Sequence, residues 1–420
     1  MKTKFQTLLV TGIIILFQHL VIAQTAPNQH FLSSLGMVDS LYSEVLKEFR
    51  EIYVQLPRDY NPESDQKYPV VFLLDGEVFL PAVCTVHDFY SGGFMPEMVI
   101  VGISNSTNRL RDLTTSTVKT MYGMPFTQTN GEAANFVRFI EKELIPFVEK
   151  KYPVTNYRTL IGHSYGGLFS IYTLLNYPHL FANFLAIDPS LDWDDQKLLK
   201  ESVDKLATKS YKGKSLFMSL SGQLHMQNYA ITIDNVMQDT SDYTLFARSN
   251  IAFSNQVQEN PENGLRFAWK FYPNDLHGTI PLPSIMDGLL SIFEWFQWEN
   301  TDRINSPDTP TEELLRIIKY REKKLENHFG YPAAPYPEEL LNMSGYMNMD
   351  MQQTEKAKMY FDLTIEYFPN SANAYDSLAD YYEAKKDYVN ALKSVTKAFE
   401  LSGDEYYKDR MKELAIKKEE

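Results

Sequence analysis

The chain has 420 residues, with 40 basic and 54 acidic side chains and a net charge of −14. That balance excludes a nucleic-acid partner, which requires a basic face. Cys84 is the one cysteine, so no internal disulfide can form and stability must come from packing, which a chain of this length supplies.

The first residues read as an export signal. Lys2 and Lys4 give a positive start, an apolar run from Leu8 to Ile22 is broken by Gln18 and His19, and Val21-Ile22-Ala23 is a small-residue cleavage site. Residues 1–23 are expected to be removed, with Gln24 opening the mature chain. The polar interruptions and the shortness of the run disfavour an uncleaved anchor. No cysteine follows the cleavage site, which disfavours lipid attachment, and no second long apolar segment occurs. A periplasmic or secreted protein with no membrane span in the mature chain is expected.

Residues 28–300 read as one α/β domain. Glu51-Ile-Tyr-Val-Gln-Leu56 alternates like a strand exposed on one face. Tyr68-Pro-Val-Val-Phe-Leu-Leu74 is a continuous apolar run ending at Asp75-Gly76, as a buried strand and its turn would be. Met98 to Ile103 is a second such run, and Ala133 to Tyr152 carries Phe136, Phe139, Ile140, Leu144, Phe147 and Val148 at helical spacing. Further strands are expected at Thr159–Ile161, Phe184–Ile187, Ser215–Leu220 and Phe267–Tyr272, with Ile285 to Trp298 closing the region as an amphipathic helix. Strands alternating with helices predict a doubly wound, mainly parallel sheet covered on both faces.

Thr301 to Thr311 holds two prolines, two aspartates and small polar residues, and reads as a linker (301–311). Residues 312–420 show helical spacing only. Ala357, Phe361, Glu366 and Pro369 are matched 34 residues on by Ala391, Val395, Glu400 and Gly403. That period belongs to the helix-turn-helix tetratricopeptide unit, so a small all-α tetratricopeptide-like domain is expected. Two copies are few to stand alone. They should pack on the α/β domain or on a Glu312–His328 helix, and they offer a surface for a protein partner.

The chemistry centres on Arg158-Thr-Leu-Ile-Gly-His-Ser-Tyr-Gly-Gly-Leu168. A strand, a sharp turn and a helix in that order, with a serine at the tip, form a nucleophile elbow in which Ser164 is the candidate nucleophile. Glycines two residues before and after it leave room where strand and helix backbones nearly touch. A serine nucleophile needs a base and donors for the developing oxyanion. His277, just beyond the last strand, is the candidate base. His163 is expected to point away within the elbow, and His179, His87, His30 and His328 lie outside any strand-end loop after it. The backbone amides of Tyr165 and Glu77 are the expected oxyanion donors. Asp75 reads as a shaper of the turn through bonds to its own backbone.

The usual place for a triad acid is the loop after Ser215–Leu220, which reads Ser221-Gly-Gln-Leu-His-Met226 and holds no carboxylate. Asp234, Asp239 and Asp242 follow it, and Asp192, Asp194 and Asp195 follow the preceding strand. A Ser–His dyad, with the histidine oriented by a carbonyl or by His225, is an equal contender. The histidines and acids show no metal-ligand spacing, and neither a metal nor a cofactor is expected.

Residues 37 to 298 resemble the esterase family of α/β-hydrolases that includes enterochelin esterase-like and esterase D-type enzymes. The segments carrying the resemblance are Tyr68-Pro-Val-Val-Phe-Leu-Leu-Asp-Gly76, Val101-Gly-Ile103, Arg111-Asp-Leu-Thr114, Glu143-Leu-Ile-Pro146, the elbow itself and Asp188-Pro-Ser-Leu191. The resemblance implies an α/β-hydrolase fold, Ser164 as nucleophile, His277 as base, and a small-molecule or polysaccharide-linked ester as substrate, including siderophore-type esters. The chain departs from the family pattern where the acid should stand after the seventh strand, as dyad-type siderophore esterases do. Arg109, Arg111 and the Phe79–Phe94 segment are candidates to line the site. Two alternatives stay open: a hydrolase-fold adaptor acting through its helical repeats, and an acyltransferase.

Overall fold

The computed structural model describes residues 35–58, 60–62, 65–121 and 124–419. The expected export signal and cleavage site lie outside the described residues. Eight strands form one sheet: β1 (Met37–Ser43), β2 (Glu48–Gln55), β3 (Tyr68–Leu73), β4 (Val99–Ile103), β5 (Val154–His163), β6 (Asn183–Ile187), β7 (Ser215–Ser221) and β8 (Arg266–Tyr272). Their order is β1-β2-β4-β3-β5-β6-β7-β8. The β1–β2 and β2–β4 pairings are antiparallel and the rest are parallel.

The helices of this region are α1 (Gly76–Tyr90), α2 (Arg109–Leu113), α3 (Ala133–Phe139), α4 (Ile145–Lys151), α5 (Tyr165–Asn176), α6 (Trp193–Thr208), α7 (Leu245–Gln258) and α8 (Pro281–Ile292). The single helix expected over 133–152 is α3 and α4 joined by one π-helical turn, Ile140–Leu144. That turn adds a residue per turn while keeping Phe136, Phe139, Ile140, Leu144 and Val148 buried.

Continuous apolar runs form the central strands because both sheet faces are covered. Along β3 the side chains alternate between two cores. Val70 and Phe72 pack with Phe136, Phe139, Leu144 and Phe169. Val71 and Leu73 pack with Val83, Ile100, Leu185, Ile285 and Leu289. The edge strand β8 is only partly covered.

The 301–311 segment is not an extended tether. It begins with a short helix, α9 (Thr301–Ile304), and buries Thr309, whose hydroxyl donates to the Arg303 carbonyl at 2.7 Å. Six helices follow: α10 (Thr311–Phe329), α11 (Glu338–Asp350), α12 (Thr354–Tyr367), α13 (Ala372–Ala384), α14 (Tyr388–Ser402) and α15 (Glu405–Glu419). The 34-residue pairs Ala357/Ala391 and Phe361/Val395 are fully buried in their hairpins. Helix α10 joins the two parts: Leu325 and Phe329 enter the core that holds Tyr157, Phe293 and Trp295, while Leu314 and Ile318 pack with Tyr360 and Leu363 of α12. No helix among the described residues is long and apolar enough to cross a membrane.

Candidate active site

The site sits where the parallel strands end. β5 runs into Ser164, whose backbone is forced to φ 60°, ψ −115° before α5 begins at Tyr165. A non-glycine residue at positive φ is strained and persists only where its surroundings hold it. Here the Ser164 N–H donates to the Ile187 carbonyl at 2.9 Å, and the Ser164 carbonyl accepts from Leu168 at 2.9 Å and Ser190 at 3.1 Å. Gly162 is the glycine that the elbow demands, since a Cβ there would lie 2.2 Å from the Gly166 carbonyl oxygen. Gly166 itself meets nothing closer than 3.5 Å, whereas a Cβ on Gly167 would press on Pro189 and the Ile187 carbonyl at 2.9–3.0 Å.

His277 lies on the turn between β8 and α8. Its Nε2 is 3.0 Å from Ser164 Oγ, and its Nδ1 is 2.6 Å from Asp188 Oδ2. Asp188 follows β6 directly and is fully buried. It takes φ 43°, its N–H donates to the Ser219 carbonyl at 3.1 Å, and its Oδ1 accepts from the Ser221 N–H at 2.9 Å. Both carboxylate oxygens are thus occupied, one by the sheet and one by His277. The next residue, Pro189, has its carbonyl held by the Asn250 amide at 2.9 Å.

Sequence reasoning missed Asp188. Its candidates are Asp234, Asp239 and Asp242 after β7, Asp192, Asp194 and Asp195 after β6, and a dyad without an acid. Asp239 instead folds onto its own turn, accepting from the Ser241 N–H and hydroxyl and from Thr244, and these bonds lower its carboxyl pKa. Asp242 opens a short 3-10 turn. Asp192 is the residue before α6 and has its carboxyl pKa raised by burial. His225 accepts from the Gln227 N–H at 3.0 Å and packs on Tyr243. In a parallel sheet the residue after β6 emerges beside the residue after β5, which sets Asp188 next to Ser164.

Other expected residues fall as follows. Tyr165 is the first residue of α5 and Glu77 the second of α1, so both amides belong to helix N-terminal turns. Asp75 adopts the left-handed conformation at φ 52°, but its carboxylate does not fold onto its own backbone. It forms a bidentate pair with Arg109 at 2.8 and 2.9 Å, because a guanidinium matches both oxygens where a backbone N–H meets one. Arg109 also lies over the Tyr165 ring at 5.5 Å. Arg111 is turned from the site toward Glu48 and Asp112. His163 does not point away: its Nε2 is 2.9 Å from the His277 carbonyl oxygen, and the two imidazoles lie 4.6 Å apart. Among the described residues, no group of three or more His, Cys, Asp or Glu is placed to hold a metal ion.

A doubly wound sheet with a serine elbow after β5 and a histidine after β8 defines an α/β-hydrolase. The Esterase family model matches residues 43–265, and the chain belongs to that family of carboxylic ester hydrolases. It is similar to a ferri-bacillibactin esterase of Bacillus subtilis, 29% identical over 210 residues, which cover 46% of this chain and 72% of the relative. A siderophore enterobactin esterase of Emericella nidulans is 29% identical over 182 residues, covering 40% and 58%. Among solved structures, an IroE-like serine hydrolase from Shewanella oneidensis is 29% identical with a TM-score of 0.64, covering 79% of this chain and 99% of that one. An uncharacterised protein from Capnocytophaga ochracea shares the fold at 19% identity and a TM-score of 0.56, over 90% of this chain and 99% of its own.

Proposed function

We propose that this protein is an exported serine esterase in which Ser164, His277 and Asp188 act as a triad. The observation that carries the reading is the chain of contacts from Ser164 Oγ to His277 Nε2 at 3.0 Å and from His277 Nδ1 to Asp188 Oδ2 at 2.6 Å. A carboxylate accepts, so Nδ1 carries the ring hydrogen and Nε2 is left to accept the serine proton. Ser164 Oγ attacks the ester carbonyl as His277 takes its proton. Asp188 orients the imidazole and stabilises the imidazolium. The imidazolium then protonates the departing alkoxide, and the acyl group remains on Ser164. A water, deprotonated by His277, attacks that acyl-enzyme, and the carboxylic acid leaves with Ser164 restored. The amides of Tyr165 and Glu77 are assigned to the oxyanion, at the positive ends of α5 and α1.

Siderophore-type esters are the substrate class the relatives' names favour, with polysaccharide-linked acyl esters second. An adaptor without turnover drew its support from an absent acid, and Asp188 fills that role in the proposed triad. The paired positions 34 residues apart support a tetratricopeptide-like reading of 312–420 and a protein partner for it. Lys2, Lys4 and the apolar run to Ile22 support export, with a mature chain opening at Gln24.

The test is labelling by a fluorophosphonate probe and turnover of short-chain p-nitrophenyl esters and an enterobactin-type trilactone. Ser164→Ala should abolish labelling. Asp188→Asn should lower kcat by about 10^3–10^4-fold with KM little changed, while Asp234→Asn, Asp239→Asn and Asp242→Asn should stay near wild type. Turnover that survives Ser164→Ala would sink the reading, and a large loss in one of the last three variants would reassign the acid.

A further inference from the structure

One buried imidazole beside the triad, His163, takes no part in the proposed reaction. His163 is 9% exposed and immediately precedes Ser164. Its Nε2 meets the carbonyl oxygen of His277 at 2.9 Å. A carbonyl only accepts, so Nε2 carries a hydrogen and His163 is the donor. The two rings lie 4.6 Å apart at 38°, and Phe79 presents an edge to His163 at 5.5 Å.

Of the three triad residues, two are fixed by the sheet. Ser164 hangs from β6 through the Ile187 carbonyl, and Asp188 is bonded to β7 through Ser219 and Ser221. His277 is different, because it arrives on a turn. Its N–H donates to Gln223 Oε1 at 3.2 Å, on the neighbouring loop. Its carbonyl is taken by His163, at the end of β5. The second bond ties the base to the same strand end that presents the nucleophile.

We propose that His163 is a positioning residue that fixes the His277 turn to the nucleophile elbow and so sets the base-to-serine distance. This rests on the reading of Ser164 and His277 as the reacting pair. The charged groups around His163 are His277, Asp188 and Arg109, whose Nη2 donates to the His163 carbonyl at 3.1 Å. A second cation beside His277 would oppose proton uptake from the serine. Burial keeps His163 neutral, so its ring face borders the imidazolium without repelling it.

The experiment compares His163→Gln, which keeps an N–H near the position of Nε2, with His163→Phe, which keeps a ring and loses the donor. Kinetics use p-nitrophenyl butyrate and the fluorophosphonate probe, normalised to folded protein. His163→Phe should lose about 10–100-fold in kcat and in labelling rate with KM within about threefold, as a misplaced base does. His163→Gln should return to within about threefold of wild type. Equal losses in both variants, or a His163→Phe enzyme with wild-type kcat, would overturn the inference. Labelling that persists in Ser164→Ala marks failure of the esterase reading instead. Imidazole 1H–15N spectra supply a readout free of activity: the His277 Nδ1–H should stay protected from solvent exchange in His163→Gln and exchange faster in His163→Phe, and equal protection in both counts against the role.

Discussion

The neutrality of His163 has a thermodynamic cost that pH exposes. Burial, with a smaller contribution from His277, pushes its pKa down from 6.5 to about 4. In the unfolded chain the same imidazole takes a proton near its ordinary pKa of about 6.5. Between these values the unfolded state binds more protons than the folded one, so stability rises with pH through this window. It is complete above the unfolded value and is lost progressively as pH falls from about 6.5 to about 4. A gap of about 2.5 units corresponds to roughly 3 kcal/mol at most. Urea unfolding at pH 7, 6, 5 and 4 should therefore show a steeper acid loss in wild type than in His163→Gln, by an amount of that order at pH 4. Parallel curves for the two proteins would mean that His163 titrates normally in the folded state.

At the scale of the element, the site is a consequence of strand register. His163 pairs with Ile187 across β5 and β6, and Ile187 with Ser219 across β6 and β7, so Ser164 and Asp188 leave the sheet side by side. Gly162 makes the return of α5 over β5 possible. Gly162→Ala would drive a methyl into the Gly166 carbonyl, and the turn can yield only by moving Ser164. The expected result is a loss of roughly 2–3 kcal/mol in stability together with loss of labelling at Ser164, whereas Gly166→Ala, which meets only ordinary contacts, should retain part of its labelling. Equal labelling in both would show that the elbow is less tight than its backbone distances. The same elements explain what was legible beforehand. The apolar runs gave β3 to β7 because central parallel strands are buried on both faces, and the elbow marked Ser164 because its glycine spacing is steric. β1 was not recovered: Met37, Val38 and Tyr42 are exposed on an edge, and no apolar alternation marks it. Asp188 was passed over because a single aspartate after a strand carries no local pattern. Its role depends on which strands are neighbours, and so do the bonds from Arg109 to Asp75 and from His163 to His277.

Across the whole molecule, the helical region is fastened by α10. Phe329 sits 5.1 Å from both Tyr157 and Trp295 in edge-to-face contact, and His328 stacks on Trp295 at 4.1 Å. Arg321, 5% exposed, lies between the Phe296 and Tyr336 rings at 5.0 and 5.3 Å. It donates to the carbonyls of Pro335 at 2.7 Å, Phe296 at 2.9 Å and Gln297 at 3.3 Å. Burial lowers its pKa, yet a guanidinium stays charged at any working pH. One side chain therefore joins the end of the α/β region to the loop that leads into α11. Arg321→Ala removes the donor from three carbonyls and the cation from two rings, and should cost roughly 2–4 kcal/mol. Arg321→Lys, which brings a compact ammonium in place of a planar fork, should recover only part of that. The docking face is remote from the chemistry: Ser164 follows β5 seven residues on from Tyr157, which is about 23 Å of extended chain. Arg321→Ala should accordingly lower the urea midpoint, with fluorophosphonate labelling of the folded protein at the wild-type rate. A fall in labelling rate under native conditions would instead mean that the helical region holds the catalytic geometry and does more than cap the sheet's α1–α8 face.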